Sequence, residues 1–562
     1  TLFVEQVLGF HRARLRARAA SLQGSAPQAP ELRRHYHRLA ALFAVEITSF
    51  ERKRYVNLSH EPNKAMNLNS YIGLVGKPLR ERQDAAGLHL EEAPAGAATL
   101  QVPDTDYFIT LDADSLLVPD YAPRLIHLME QPEHARTGVA QTPYSAIPGA
   151  PGTLERIAGA TTDIQFIIHQ GFTAYDATYW VGANALLRKT ALADIAVTET
   201  ERGFPVTRFI QDRTVIEDTE SSVDLVARGW RLHNYPARLA YSATPPDFGA
   251  LLIQRRRWAN GGLIILPKLL RYLRGARPGE AFLRFHYLAS IAAVNLGLLI
   301  LLAVPFTESL RSLWLPLSAA PYFLLYGRDL RLLGYRPGDL LRVYALNLLL
   351  IPVNLGGVFK SLQQAWSRAK IPFGRTPKVA GRTAAAPLYI LAAYALLAHW
   401  LLGAGVDFAA GRWPHGLFAL FNAAFLLYAV LAFIGLRESR EDLAAGLRAR
   451  WPAWLPGGAP RSAVSPAPGL QHERPPAWPV RRADDAGAGF ASDVLLARRG
   501  DDRFFVERAA GEDAGSGWFF RIREGKPLGP FPTREQAKRA CAEFLRSATA
   551  SPLSSTPIMA SR

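Results

Sequence analysis

Cysteine is almost absent from this chain. Cys541 is the single one in 562 residues, which excludes an internal disulfide and a zinc site built on cysteines. No secretory signal pattern stands at the start, and the first residue is Thr1, not Met. Aspartate is missing from residues 1–83; the first is Asp84. Acid is also outweighed overall, with 65 Lys plus Arg against 48 Asp plus Glu. A basic excess suits nucleic acid, anionic lipid or phosphorylated substrates. The arginines gather beside apolar segments and are not interleaved with aromatics on one surface, which argues against nucleic acid and for a membrane.

What is present is unevenly spread. Apolar residues make up 49% of the chain, but the dense runs lie between 283 and 437. About 20 apolar residues cross a bilayer. Segments 285–306, 386–402 and 417–436 meet that length, and 313–326 does so if its flanks are counted. The run 341–358 contains Arg342, Asn347, Pro352 and Asn354 and reads as an amphipathic helix on the membrane surface; a fifth span is the alternative. Four spans, with Arg328, Arg331, Arg336 and Lys360 on the cytoplasmic side, leave both ends of the chain there.

Around these runs the chain divides into five parts. Residues 1–30 read as an N-terminal helix and loop. Residues 31–265 alternate strand and helix patterns and predict an α/β layer fold, with a strand at 45–50, a loop then helix at 62–74, a loop at 93–98, a buried strand at 107–111, a helix at 122–130 and a strand at 138–141. Interface helices and spans fill 266–437. Residues 438–485 have linker composition. A small α+β appendage occupies 486–550, with strands near 504–506 and 518–522 and a helix over 533–547.

Several residues carry possible chemistry. Asp112 and Asp114 follow the apolar strand at i and i+2, so an extended chain points both to one face. Their hard oxygens suit Mg²⁺ or Mn²⁺. Asp104 and Asp106 share the spacing but lack a delivering strand, and read as a solvated turn. Glu217 and Asp218 precede a helix that closes at Gly229. The helix dipole alone accounts for acids there; the functional reading has one of them take a proton from a hydroxyl. Gln254, Arg255, Arg256, Arg257 and Trp258 combine phosphate-matching guanidiniums with a flat indole for a sugar ring. A plain membrane anchor is the alternative, and suffices for Arg255 and Arg256. Lys64, at a loop-to-helix junction, could reach a nucleotide phosphate or simply be exposed. Phe373, Thr376 and Lys378 lie in a short Gly/Pro-containing stretch, 371–382, that reads either as a segment able to move over a cleft or as a basic connector.

In this order, these pieces resemble the processive, membrane-embedded family 2 glycosyltransferases, the group of cellulose, chitin, hyaluronan and poly-N-acetylglucosamine synthases. The resemblance covers roughly 31–437. Lys64–Asn69 looks like K-A-G-x-L-N with Met66 for Gly. Asp112-Ala113-Asp114 matches D-x-D, and Ile216-Glu217-Asp218 matches T-E-D with Ile for Thr. Gln254–Trp258 matches Q-x-x-R-W in full, and Phe373–Lys378 resembles the gating loop F-x-V-T-x-K with Arg375 for Val. The resemblance implies a GT-A fold, a uridine diphosphate sugar donor, Mg²⁺ or Mn²⁺ on Asp112 and Asp114, and inversion at the anomeric carbon. Asp218, beside Glu217, would be the base. Lys64, Gln254 and Arg257 would bind donor or acceptor, and Trp258 would be a platform for the acceptor sugar. It further implies a polysaccharide or glycolipid acceptor, contact with membrane lipid, a possible export partner in the envelope, and a bacterial inner-membrane location with the catalytic domain cytoplasmic. The family's Asp-rich uracil-binding turn should lie upstream of residue 31, where no Asp exists. A chain truncated at its N-terminus, weak in donor binding, is therefore expected. Transfer of a single sugar to a lipid carrier, or a non-catalytic scaffold, are the competing functions.

Overall fold

The computed structural model describes residues 4–5, 9–21, 29–41, 48–143, 145–182, 184–212, 214, 216–307, 314–367, 381–450, 504–507, 517–521, 527–531, 536 and 539. Helices α1 (Gly9–Ser21) and α2 (Ala29–Ala41) come first. Helix α3 (Lys64–Ile72) starts where the loop-to-helix pattern places it, because Asn63 caps it and accepts the Met66 N–H at 2.7 Å. The antiparallel pair β1 (Pro78–Asp84) and β2 (Gly87–Glu92), with β3 (Leu100–Gln101) on the other side of β1, forms a small sheet of its own.

Next comes the sheet that organises the site. Its strands are β4 (Tyr107–Thr110), β6 (Thr137–Gln141), β8 (Ala185–Arg188) and β11 (Arg231–Asn234), in the order β11-β6-β8-β4. β11 runs parallel to β6, while β8 is antiparallel to both β6 and β4. A second sheet, order β5-β12-β7, comprises β5 (Ser115–Leu117), β7 (Ser145–Ala146) and β12 (Ala240–Ser242). Alternate residues of β6 and β8 face opposite layers. Val139 and Leu187 join a core with α6 (Lys189–Asp194) and α7 (Glu217–Ala227). Ala140 and Leu186 meet Tyr121, Leu125 and Met129 of α4 (Tyr121–Met129). β9 (Val197–Glu201) and β10 (Phe204–Arg208) form a hairpin whose Glu201 accepts a hydrogen bond from the Ser59 hydroxyl at 2.7 Å.

The helical part is built on α5 (Thr153–Ala174) and α8 (Phe248–Tyr272). α9 (Pro278–Ala303), α10 (Trp314–Leu332), α11 (Asp339–Ser367), α12 (Pro387–Ala409), α13 (Trp413–Ala429) and α14 (Leu436–Arg450) follow. α8 is continuous across position 265, so the expected boundary there is not a break in the chain. α14 replaces the first part of the linker expected from 438. Of the strand expected at 45–50, residues 48–50 carry no regular structure and the rest lies outside the described residues. The 93–98 loop contains one 3₁₀ turn, Ala95–Ala97.

Among the described residues, four helical stretches are long and apolar enough to cross a bilayer: 278–306, 339–367, 387–409 and 413–434. α11 thus meets the criterion, where the sequence reading laid it on the membrane surface; the described part of α10 does not, and the flank before it lies outside the described residues. Yet more than half of α11's apolar window is buried inside the protein. At its start, Asp339 pairs with Arg156 of α5 at 2.5 Å, and the Tyr335 hydroxyl donates to Asp163 of α5 at 3.0 Å. Near its end, Gly357 abuts Arg256–Asn260 of α8, and Ser361 donates to the Asn260 carbonyl at 2.8 Å. Both ends, about 33 Å apart at helical rise, are held by α5 and α8.

Residues 463–562 form a separate unit. Its described strands, β13 (Phe504–Glu507), β14 (Gly517–Arg521) and β15 (Pro527–Phe531), pair antiparallel in that order. The first two match the expected strands; the third was not foreseen. Most of the expected helix at 533–547 lies outside the described residues.

Candidate active site

One edge of the main sheet collects the carboxyl ends of β4, β6 and β11 and the amino end of the antiparallel β8. Thr110 is paired with Ala185 and Gln141 with Ala185, so these ends coincide. Chain leaving β4 here carries Asp112 and Asp114. Chain entering β8 carries Gly182 and Asn184. The Gln141 side chain holds the approach to β8 from below, donating to the Tyr179 carbonyl at 2.6 Å and accepting the Val181 N–H at 2.9 Å.

Three helices bring their charged residues to this edge. Lys64 opens α3, and its Nζ lies 2.6 Å from Asp112 Oδ1. Glu217 and Asp218 open α7, and Lys64 and Arg257 both exert an attractive electrostatic effect on each of them. Arg257 lies on α8. The fold therefore joins Lys64, Asp112, Glu217, Asp218 and Arg257, which stand 193 positions apart in the chain at their extremes (257 minus 64).

The carboxylates have distinct surroundings. Asp218 Oδ1 accepts the Thr219 N–H at 2.7 Å and Oδ2 accepts the Gly182 N–H. Burial raises the Asp218 pKa from the ordinary range, while those two N–H donors, Lys64 and Arg257 oppose the rise. Glu217 is pushed up to about 7, first by burial and then by the adjacent Asp218 carboxylate. A carboxyl poised near neutrality is suited to proton transfer.

α8 is fixed against its neighbours by close approaches. Asp247 caps it, accepting the Ala250 N–H at 2.8 Å and the Thr383 N–H at 3.0 Å. Gly261 lies directly against Ile216, the residue before Glu217, with no room for a Cβ. A Cβ on Gly262 would lie 2.7 Å from the Leu288 carbonyl oxygen of α9, and one on Gly357 would lie 2.6 Å from Ala259. Lys268 pairs with Asp224 at 2.6 Å and approaches Glu220 at 3.4 Å, so α7 and α8 are locked along their length.

Not every arginine of the Gln254–Trp258 cluster is a surface anchor. The Arg255 guanidinium donates to Thr161 Oγ1 of α5 at 2.5 Å and lies 4.6 Å over the Trp258 ring. Burial lowers its pKa to about 10. This correction follows from packing: α8 turns Arg255 into the α5 interface, where it braces the indole. Gln254 and Trp258 stand half-buried one turn apart on the same helix. Asp104 is exposed and pairs with Lys189, as expected of a solvated turn. Phe373, Thr376 and Lys378 lie outside the described residues.

Among the described residues no cluster of three or more His, Cys, Asp or Glu side chains forms a metal cage. A Mg²⁺-type ion needs only one or two carboxylates when phosphate oxygens and water complete its shell, so that result leaves the expectation for Asp112 and Asp114 untested. The Lys64 ammonium forms an ion pair with Asp112 at 2.6 Å. Gly182 and Asn184 were missed in the sequence, where V-G-A-N carries no charge or nucleophile to mark it.

Residues 107–327 match the profile described as "Glycosyl transferase family group 2". An "N-acetylglucosaminyltransferase" of Rhizobium leguminosarum bv. viciae is 24% identical over 312 residues, covering 50% of this chain and 65% of that protein. The chain thus spans less than two thirds of the length of this curated relative. Residues 107–327 are thus similar to that family's profile over a stretch of mixed α/β structure, and helices of bilayer length overlap its end and follow it.

Proposed function

We propose, from a domain of this type beside bilayer-length helices, that the chain is a membrane-embedded glycosyltransferase that extends a glycan from a uridine diphosphate sugar with inversion. The observation that carries the reading is the meeting of two cations, Lys64 and Arg257, with Asp112, Glu217 and Asp218 at one sheet edge. The name of the Rhizobium relative makes N-acetylglucosamine the first donor sugar to test. A growing polysaccharide is the acceptor, and the apolar helices are its way out.

In this reading Asp218, oriented by the Gly182 and Thr219 N–H groups, accepts the proton of the acceptor hydroxyl. The hydroxyl oxygen attacks the anomeric carbon from the face opposite the diphosphate, the carbon–oxygen bond to the diphosphate breaks, and uridine diphosphate leaves. Arg257 and Lys64 bind its oxygens. Mg²⁺ or Mn²⁺ on Asp112 and Asp114 would neutralise the leaving group. Trp258, braced by Arg255, presents its indole to the acceptor sugar. The chain works from the cytoplasmic face of a bacterial inner membrane, and an envelope partner receives the polymer.

A panel of uridine diphosphate sugars with Mg²⁺ or Mn²⁺, read by mass spectrometry, tests this. Transfer from one donor into products longer than one added sugar is expected, with a loss of at least about 10²-fold in Asp218→Asn. Unchanged turnover in that variant removes Asp218 from its role; a single added sugar replaces polymerisation with transfer to a lipid carrier.

A further inference from the structure

Asn184 is the residue at the sheet edge whose presence the proposed reaction does not explain. Among the described residues, three besides glycine have positive φ: Asp176 (+56°), Asn184 (+66°) and Arg202 (+52°). Of these only Asn184 is fully buried. Glycine meets such a backbone requirement without a side chain, so the amide has other work. Its Nδ2 donates to Ser242 Oγ at 3.2 Å, and Ser242 Oγ lies 2.9 Å from Ser115 Oγ. Ser115 and Ser242 face each other across the β5–β12 pair. The Ser115 N–H closes the turn below Asp112 by donating to the Asp112 carbonyl at 3.0 Å. The Asn184 N–H donates to the Thr110 carbonyl at 2.7 Å, at the point where β4 hands over to Asp112.

Asn184 therefore grips the Asp112–Asp114 turn at both ends, by backbone at Thr110 and by side chain through Ser242 and Ser115. Two residues earlier, the Gly182 N–H holds Asp218. One short segment thus fixes the diphosphate side and the base side of the cleft together. Ser242 and Asn184 have no exposure at all; Asn184 Oδ1 has no hydrogen-bond partner among the described residues, so the amide is tied through Nδ2 to Ser242.

We infer that Asn184 and Ser242 are positioning residues that set the Asp112–Asp114 turn for a divalent cation and for the donor diphosphate. This rests on the reading of the cleft given above. The test uses the full chain in lipid nanodiscs with uridine diphosphate present, and measures Mn²⁺ binding by electron paramagnetic resonance beside kcat and donor KM. Asn184→Gly keeps the backbone and deletes the amide; Ser242→Ala deletes the bridging hydroxyl; Ser242→Thr keeps it. Both deletions should weaken Mn²⁺ binding about 10-fold, as loss of a group orienting a metal ligand does, and should lower kcat more than they raise donor KM. Ser242→Thr should restore both; the deletions should melt lower because they leave buried groups unpaired, so all variants are compared at a temperature where each is fully folded. Mn²⁺ affinity and kcat within twofold of the parent in both deletions overturn the inference, as does a parent that binds no Mn²⁺. A parent that binds Mn²⁺ but transfers no sugar overturns the glycosyltransferase reading instead, while the Mn²⁺ measurements still decide the roles of Asn184 and Ser242.

Discussion

Glu217 and Asp218 are neighbours in the chain, but their hydrogen bonds differ. Asp218 is held by two backbone N–H groups, whereas Glu217 sits in the same cleft with its pKa pushed up to about 7 by burial and by Asp218. A carboxyl whose folded pKa exceeds its ordinary 4.5 binds its proton more tightly when folded. Its contribution to stability is most favourable below the ordinary value and is lost as pH rises toward 7. Glu217→Gln should therefore melt higher than the parent at pH 8, and the difference should shrink toward zero near pH 4.5. Thermal melts across that range check it; an equal shift at every pH would place the effect in packing. Lys64 and Arg257 oppose the same rise, so removing either should enlarge the gain.

At the scale of elements, α8 carries the argument. Its Gly261 faces Ile216 without space for a side chain, and that contact fixes where α7 begins and where its first two acids point. Gly261→Val must displace Ile216 and with it Glu217 and Asp218. Overpacking of this kind costs about 1–3 kcal/mol, and a displaced catalytic group can cost about 10²-fold in rate. Gly297→Ala, on α9 with nothing within 4 Å of the new Cβ, serves as the control. The first variant should lose transfer activity and melt lower; the second should do neither. Equal behaviour of the two would detach α7's position from the α8 contact.

At the scale of the whole molecule, α11 poses the question of sidedness. Composition alone allows it to span, but α5 holds its start and α8 its end. It should therefore run along the catalytic side, and α10 should return the chain from the far side to Tyr335. Single cysteines placed in a Cys541→Ser background test this in sealed membranes. Arg336→Cys and Lys360→Cys should react with an impermeant maleimide from the same side as Arg82→Cys on the β1–β2 pair. Labelling of positions 336 and 360 from opposite sides would make α11 a span.

The linear chain determined the alternation of strand and helix, the start of α3 at Asn63, the strand that delivers Asp112, and three of the four stretches among the described residues able to cross a bilayer, because each is written in local periodicity, capping or length. Its motifs also marked Lys64, Asp112, Glu217, Asp218 and Arg257, since charge at an element's end is visible in one dimension. Tertiary structure alone decided that these five meet, that Arg255 braces Trp258, and that α11 is held at both ends. It also placed Asn184, an uncharged residue in an apolar stretch, against the turn of Asp112. Such pairings depend on which helices approach closely enough to touch, and that closeness is set by glycines at 261, 262 and 357 whose partners lie tens to more than a hundred residues away.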